Sequence, residues 1–152
     1  MTKTVNGLDG LKNLPGTDLG SSDWLEVTQE RVGTFAAATG DHQWIHVDEQ
    51  RAKSGPFGGT IAHGYLTLSL VIPLFNDLLE ITGISMSVNY GLEKVRFPSP
   101  VPVGSKIRLT AEVLSVEDIK GEGVQMALTF TVQIDGSTKP ACVAQALYRH
   151  YA

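Results

Sequence analysis

Cys142 is the only cysteine in the sequence, so no internal disulfide can form. The fold must hold together by burial alone, and a packed, inert thiol in a reducing compartment is expected. Cationic charge is never concentrated. With a net charge of −4 and no basic run, nucleic acid is excluded as the main partner. Long apolar runs are also missing. The longest apolar-rich stretch, 65–75, falls far short of the roughly 18 residues a bilayer span requires. The opening MTKTVNGLDGLKNLPG lacks the apolar core of a secretion signal, so a cytoplasmic protein without a membrane partner is expected. No segment repeats and none is of low complexity. The 152 residues are therefore read as one domain, 1–152, with 1–20 as an N-terminal extension holding at most one short helix before Pro15.

What is present divides into a helical half and a strand half. Residues 24–27 read as a short strand, and Thr28 is a good N-cap for a helix carrying Val32, Phe35, Ala36 and Thr39 on one face and ending at Gly40. A second cap, Asp48, starts a shorter helix that stops by Gly55 and Pro56. Residues 64–79, GYLTLSLVIPLFNDLL, are apolar almost all round, which predicts a helix enclosed by protein on most sides, kinked or divided near Pro73. Strict alternation follows. Val124, Met126, Leu128, Phe130, Val132 and Ile134 share one strand face, as do Ile107, Leu109, Ala111 and Val113. Two further strands are placed at 84–97 and 141–150, with a loop at 117–123 and a turn at Asp135-Gly136. One buried helix before about four long antiparallel strands predicts an α+β fold in which the sheet curls round the helix. Uncovered sheet edges and helix surface predict a homodimer.

The chemistry concentrates between the helices. Asp41 and His46 stand five residues apart in a short connection. On an ideal helix that spacing is about 140° of rotation, so the two side chains meet only if the chain turns, which Gly40 permits. A carboxylate and an imidazole on one turn can hold a water and move its proton. The same spacing equally suits a turn-capping acid and a satisfied histidine. Gly64 opens the apolar helix, where unpaired N–H groups stabilise an anionic oxygen and the missing side chain admits a carbonyl. Relief of crowding, with His63 as a cap, is the alternative. His42 and His46 have the spacing of a helical zinc pair, but Gln43 replaces the required Glu and no third ligand presents itself, so no metal site is expected. The run GPFGGT at 55–60 lacks the ending of a phosphate loop, and no GxSxG elbow exists. Trp24 is read as a strand-end anchor and Trp44 as core or pocket wall.

GDHQWIH at 40–46 resembles the signature of the MaoC-like, (R)-specific enoyl-CoA hydratases, usually Gly-Asp-x-Asn-Pro-aliphatic-His. TIAHGYLTLSL at 60–70 resembles the segment opening their central helix, and NYGLEKVRFPSPVPVGSKIRL at 89–109 their strand, Pro-rich bend and strand. Within that family the chain is similar to the compact 3-hydroxyacyl-thioester dehydratases and the nodulation protein N group. The resemblance implies a hot-dog fold, a long central helix wrapped by a curved antiparallel sheet, paired as a homodimer. It implies Asp41 and His46 as the catalytic pair acting on one water, the Gly64 N–H as the thioester oxygen's donor, and Gln43 in the place of the water-orienting Asn. Trp44 stands at the Pro position, where it reshapes the acyl pocket. The implied substrate is a trans-2-enoyl thioester of CoA or acyl carrier protein, handled without metal or redox cofactor. Arg51, Lys53, Lys94, Arg96, Lys106 and Arg108 are candidate guides for the CoA phosphates. A hot-dog thioesterase and a non-catalytic acyl-thioester-binding module are the alternatives.

Overall fold

The computed structural model describes residues 1–152. In chain order the elements are β1 (Lys3–Asn6), α1 (Gly7–Leu11), β2 (Asp18–Ser21), β3 (Leu25–Glu26), α2 (Gln29–Thr39), α3 (Trp44–Val47) and α4 (Glu49–Lys53). They continue with α5 (Gly64–Ser69), α6 (Val71–Asn76), β4 (Leu79–Thr82), β5 (Met86–Arg96), β6 (Lys106–Ile119), β7 (Gly123–Ile134) and β8 (Cys142–Tyr151). None of the helices is long and apolar enough to cross a membrane.

The main sheet is antiparallel, in the order β2-β6-β7-β8-β5, with β3 also pairing with β6. Its inner face carries the alternating residues expected: Ile107, Leu109, Ala111 and Val113 from β6, and Val124 through Ile134 at every second position of β7, all buried. Against this face lie Leu66 of α5, Leu74 and Phe75 of α6, and Leu70 between the two helices. The Phe75 ring sits 5.3 Å from Phe130 and 5.8 Å from Tyr148, tying helix to sheet through aromatic contacts. Each fully buried side chain of this size contributes roughly 1.5–3 kcal/mol, so the packed interface, rather than helix propensity, holds these short helices in place.

The helix is divided, as Pro73 predicts, but it is shorter than expected. Pro73 has no N–H to offer the Ser69 carbonyl, and the helix breaks at Leu70 into two six-residue pieces. It also stops at Asn76, because Leu79–Thr82 is a strand pairing in parallel with β1. Nor is it enclosed on most sides: Tyr65 is 74% exposed, and Ile72 and Pro73 share that bare face.

Two further differences concern strands. Residues 117–123 are mostly strand, since β6 and β7 pair as far as Ile119↔Gly123 and leave only Lys120, Gly121 and Glu122 as the loop. Exposed charges there do not disturb a ladder built from backbone groups. The first twenty residues hold the expected helix but also β1 and β2, and they bury Leu11, Leu14 and Leu19 against the body. Those strands are too short and too polar to show a period.

Candidate functional site

The α2 helix ends where Gly40, at φ 80°, donates its N–H to the Ala36 carbonyl over 2.9 Å. That left-handed residue turns the chain out of the helix, so Asp41 follows in a short connection. One turn of α3 then carries His46 inward, leaving it 7% exposed. Its ring nitrogen Nδ1 lies 2.7 Å from the Ile61 carbonyl, which can only accept, so Nδ1 bears the proton and Nε2 presents a lone pair. From the main-chain side, Gln29 donates its amide to the His46 carbonyl over 2.8 Å, and the Thr60 hydroxyl donates to Gln29 Oε1 over 2.6 Å.

A second imidazole completes the arrangement. His63, 2% exposed, stacks on His46 with ring centroids 3.8 Å apart and planes inclined by 25°. Its Nε2 donates to the Asp41 main-chain carbonyl over 3.0 Å and sits 4.0 Å from Asp41 Oδ2. Its Nδ1 is buried without a partner, a condition that costs about 1–3 kcal/mol and calls for an explanation. Asp41, His46 and His63 each offer a nitrogen or carboxylate oxygen, and these atoms lie within 4.8 Å of one another. A water bonded to two groups at about 2.8 Å each spans roughly 4.6 Å between them, so atoms gathered within this limit are in reach of one bridging water.

His63 is also the third donor that the sequence did not offer beside His42 and His46, since its nitrogen, one from His46 and an Asp41 carboxylate oxygen lie close enough to share an ion. The Nε2 of His63 is instead turned to the Asp41 carbonyl, and its ring is stacked on His46. His42, exposed in the connection, is outside the cluster.

Beside His46 opens a pocket of about 350 Å³ lined by Phe57, Gly64, Thr67, Phe97 and Val101 among others. Gly64 is the first residue of α5, and its N–H has no backbone acceptor. The open approach expected over its missing side chain is not there: a Cβ at Gly64 would lie 3.2 Å from the Phe97 ring. The ring fills that place, so crowding explains the glycine, and the free amide is what the position offers a ligand.

Other expectations fall outside this pocket. Gln43 is exposed, and only its backbone N–H reaches Asp41 Oδ1, over 3.4 Å. Trp44 does not line the pocket, because its ring packs where a Cβ at Gly55 would come within 3.0 Å and lies under the Arg51 guanidinium at 4.2 Å. Arg108 is likewise held over Trp24 at 4.5 Å, and none of the six candidate cations lines the pocket. Sequence reasoning missed Gln29, Thr60 and Phe97. It read His63 only as a helix cap, and His63 does occupy the N-cap of α5 but makes no side-chain cap bond there, its ring being turned to Asp41 and His46.

A separate cavity of about 680 Å³ lies at the far end of α6, between Phe75, Asn76, Ser87, Tyr148 and His150. Burial pushes the His150 imidazole down to about 4, and its Nδ1 lies 2.8 Å from the Ser87 hydroxyl.

Comparison with known proteins gives the family. Residues 11–134 match the family model described as MaoC like domain. The chain is 49% identical over 150 residues to 3-hydroxyacyl-thioester dehydratase Z of Mycobacterium tuberculosis, covering 99% of both chains. It is 46% identical over 134 residues to nodulation protein N of Rhizobium leguminosarum bv. viciae, covering 85% of this chain and 81% of that one. Among solved structures, the unliganded R-hydratase PhaJ1 of Pseudomonas aeruginosa superposes with a TM-score of 0.70 at 25% identity, over 93% of this chain and 83% of that one. With a family match across most of its length and a relative similar from end to end, the chain belongs to the MaoC-like domain family.

Proposed function

We propose that the protein catalyses reversible hydration of a trans-2-enoyl thioester, carried on CoA or acyl carrier protein, to the (R)-3-hydroxyacyl thioester. The observation that carries this reading is that an Asp41 carboxylate oxygen and a His46 ring nitrogen lie within 4.8 Å of one another, a gap one water can bridge, with His46 and Gly64 lining one pocket. The near full-length identity to a 3-hydroxyacyl-thioester dehydratase and the likeness to an R-hydratase support the same chemistry.

Both groups accept hydrogen bonds, so a water between them donates both hydrogens and turns its lone pairs outward, toward C3 of an enoyl thioester. Attack forms the C3–O bond as one water proton passes to His46 or Asp41. Electrons move from the C2–C3 double bond toward the thioester oxygen, whose developing charge the Gly64 N–H receives. The proton just taken then returns to C2, which adds the two parts of one water to the same face. Such acid–base assistance is worth about 10²- to 10⁴-fold.

The working protein is a homodimer in this reading. The β5 strand pairs with β8 alone, exposes Met86, Val88, Tyr90 and Leu92, and leaves its outer edge unpaired, while the Tyr65 and Ile72 face of the divided helix is bare. The free Cys142 thiol fits a cytoplasmic enzyme. The test is to follow enoyl absorbance and thiol release together with a short trans-2-enoyl-CoA. Loss of absorbance without thiol release is expected. Thiol release alone would mean a thioesterase, and neither signal a binding module.

A further inference from the structure

His63 has no step in the chemistry above, yet it touches both groups that do. We propose that His63 is a positioning residue that locks the Asp41 turn against the His46 ring, so that the carboxylate and the imidazole keep a one-water separation. This rests on the assignment of Asp41 and His46 as the reacting pair.

The two partners are held very unequally without it. His46 is fixed through its ring at Ile61 and through its main chain at Gln29. Asp41 has a side chain 51% exposed, and its carboxylate receives only the long 3.4 Å contact from Gln43. The His63 Nε2–H bond to the Asp41 carbonyl, at 3.0 Å, anchors that exposed turn to buried structure. At the same time the flat face of His63 supports His46 at 3.8 Å, with Phe35 packed at 4.9 Å on the same imidazole.

An imidazole meets both demands within the space of one small ring. A phenyl ring would stack but offers no donor, and a glutamine amide would donate but offers no ring face. The unpartnered Nδ1, buried at a cost to stability, is the atom left over from that double requirement. A residue selected for packing alone would not carry it.

The test combines three substitutions with a spectroscopic reading. In H63F the ring is kept and the donor lost, and kcat should fall about 30- to 100-fold with KM changed less than about threefold and the melting temperature preserved. H63Q restores a donor near Nε2 and should recover at least part of that loss. H63F placed on D41N should cost nothing further, because the lost effect travels through Asp41. Long-range ¹⁵N–¹H spectra of the wild-type protein in mildly alkaline buffer should give His63 as the Nε2–H tautomer and His46 as the Nδ1–H tautomer. The spectra are read without turnover. A wild-type protein inactive on enoyl thioesters but with these tautomers would sink the reaction assigned above. A Nδ1–H tautomer at His63, wild-type kcat in H63F, or a full additional loss on D41N would overturn the positioning role itself.

Discussion

Gln29 donates its side-chain amide across 2.8 Å to the main-chain carbonyl of His46, joining the first turn of α2 to the turn that carries the imidazole. The same amide oxygen accepts from Thr60 at 2.6 Å, so one glutamine bridges two segments of the site. Gln29→Leu removes both bonds and strands two polar groups on the buried residues His46 and Thr60. A stability loss of about 1–3 kcal/mol and a kcat lower by about tenfold are expected from urea melts and hydration kinetics. Wild-type values in both would show that the bridge does not hold His46.

Asp41→Asn keeps the shape of the side chain and removes its charge, while His46→Ala removes the Nε2 lone pair. Each should lower hydration of a short enoyl-CoA by at least about 100-fold with circular dichroism unchanged. Folded variants turning over at wild-type rate would refute the pair.

At Gly64 two effects oppose each other. A methyl gains roughly 1 kcal/mol of helix propensity, but it meets the Phe97 ring at 3.2 Å and forces that half-exposed side chain aside. Gly64→Ala should therefore leave the melting temperature nearly unchanged while lowering kcat/KM by about tenfold, as the ring shifts in the pocket wall. Phe97→Leu in that background should restore part of the loss. A Gly64→Ala variant with full activity would remove the pocket wall from the argument.

Stability should fall with acid because of His150. Burial lowers its folded-state value from 6.5 to about 4, so the unfolded chain binds the proton more readily. Its contribution is complete above pH 6.5 and is lost progressively as the pH drops toward about 4, roughly 2–3 kcal/mol in all. Glu80 and Tyr148 line the same cavity, and burial pushes the tyrosine up to about 12, so it stays neutral throughout this window. Denaturant titrations at a series of pH values should show this slope, flattened in His150→Asn. An unchanged slope in that variant would assign the acid sensitivity elsewhere.

Cys142 should be silent toward thiol reagents. It is buried, and burial pushes its thiol up to about 11, so little thiolate forms at neutral pH. A thiol-reactive dye should report no group in the native protein and one per chain in denaturant. Rapid native labelling would contradict this packing.

The fold was legible wherever a residue acts on its near neighbours. Thr28 and Asp48 each accept from the N–H three residues on, as their capping pattern predicts, and Gly40 ends its helix in the left-handed region. The alternation in β7 gives its buried face residue by residue. Where the controlling contact is remote, the chain carries no such mark. The early end of α6 follows from β1 pairing with β4, whose registered residues lie 76 positions apart, through backbone groups that leave no side-chain pattern. In the site, the convergence of Asp41 and His46 could be posed from their spacing and a glycine. The imidazole between α5 and that turn could not, because His63 reaches Asp41 from 22 residues away. Trp44 was misplaced for the same reason, since its neighbours Arg51 and Gly55 belong to the next helix and its exit.

The position of β8 in the sheet has a consequence for biosynthesis. It lies between β7 and β5, yet it is translated after both. Until β8 has been made, β5 has no hydrogen-bonding neighbour and β7 has only one, β6. The nascent chain therefore waits with its floor open, and a stop codon at Cys142 would cost the sheet its middle, not its margin.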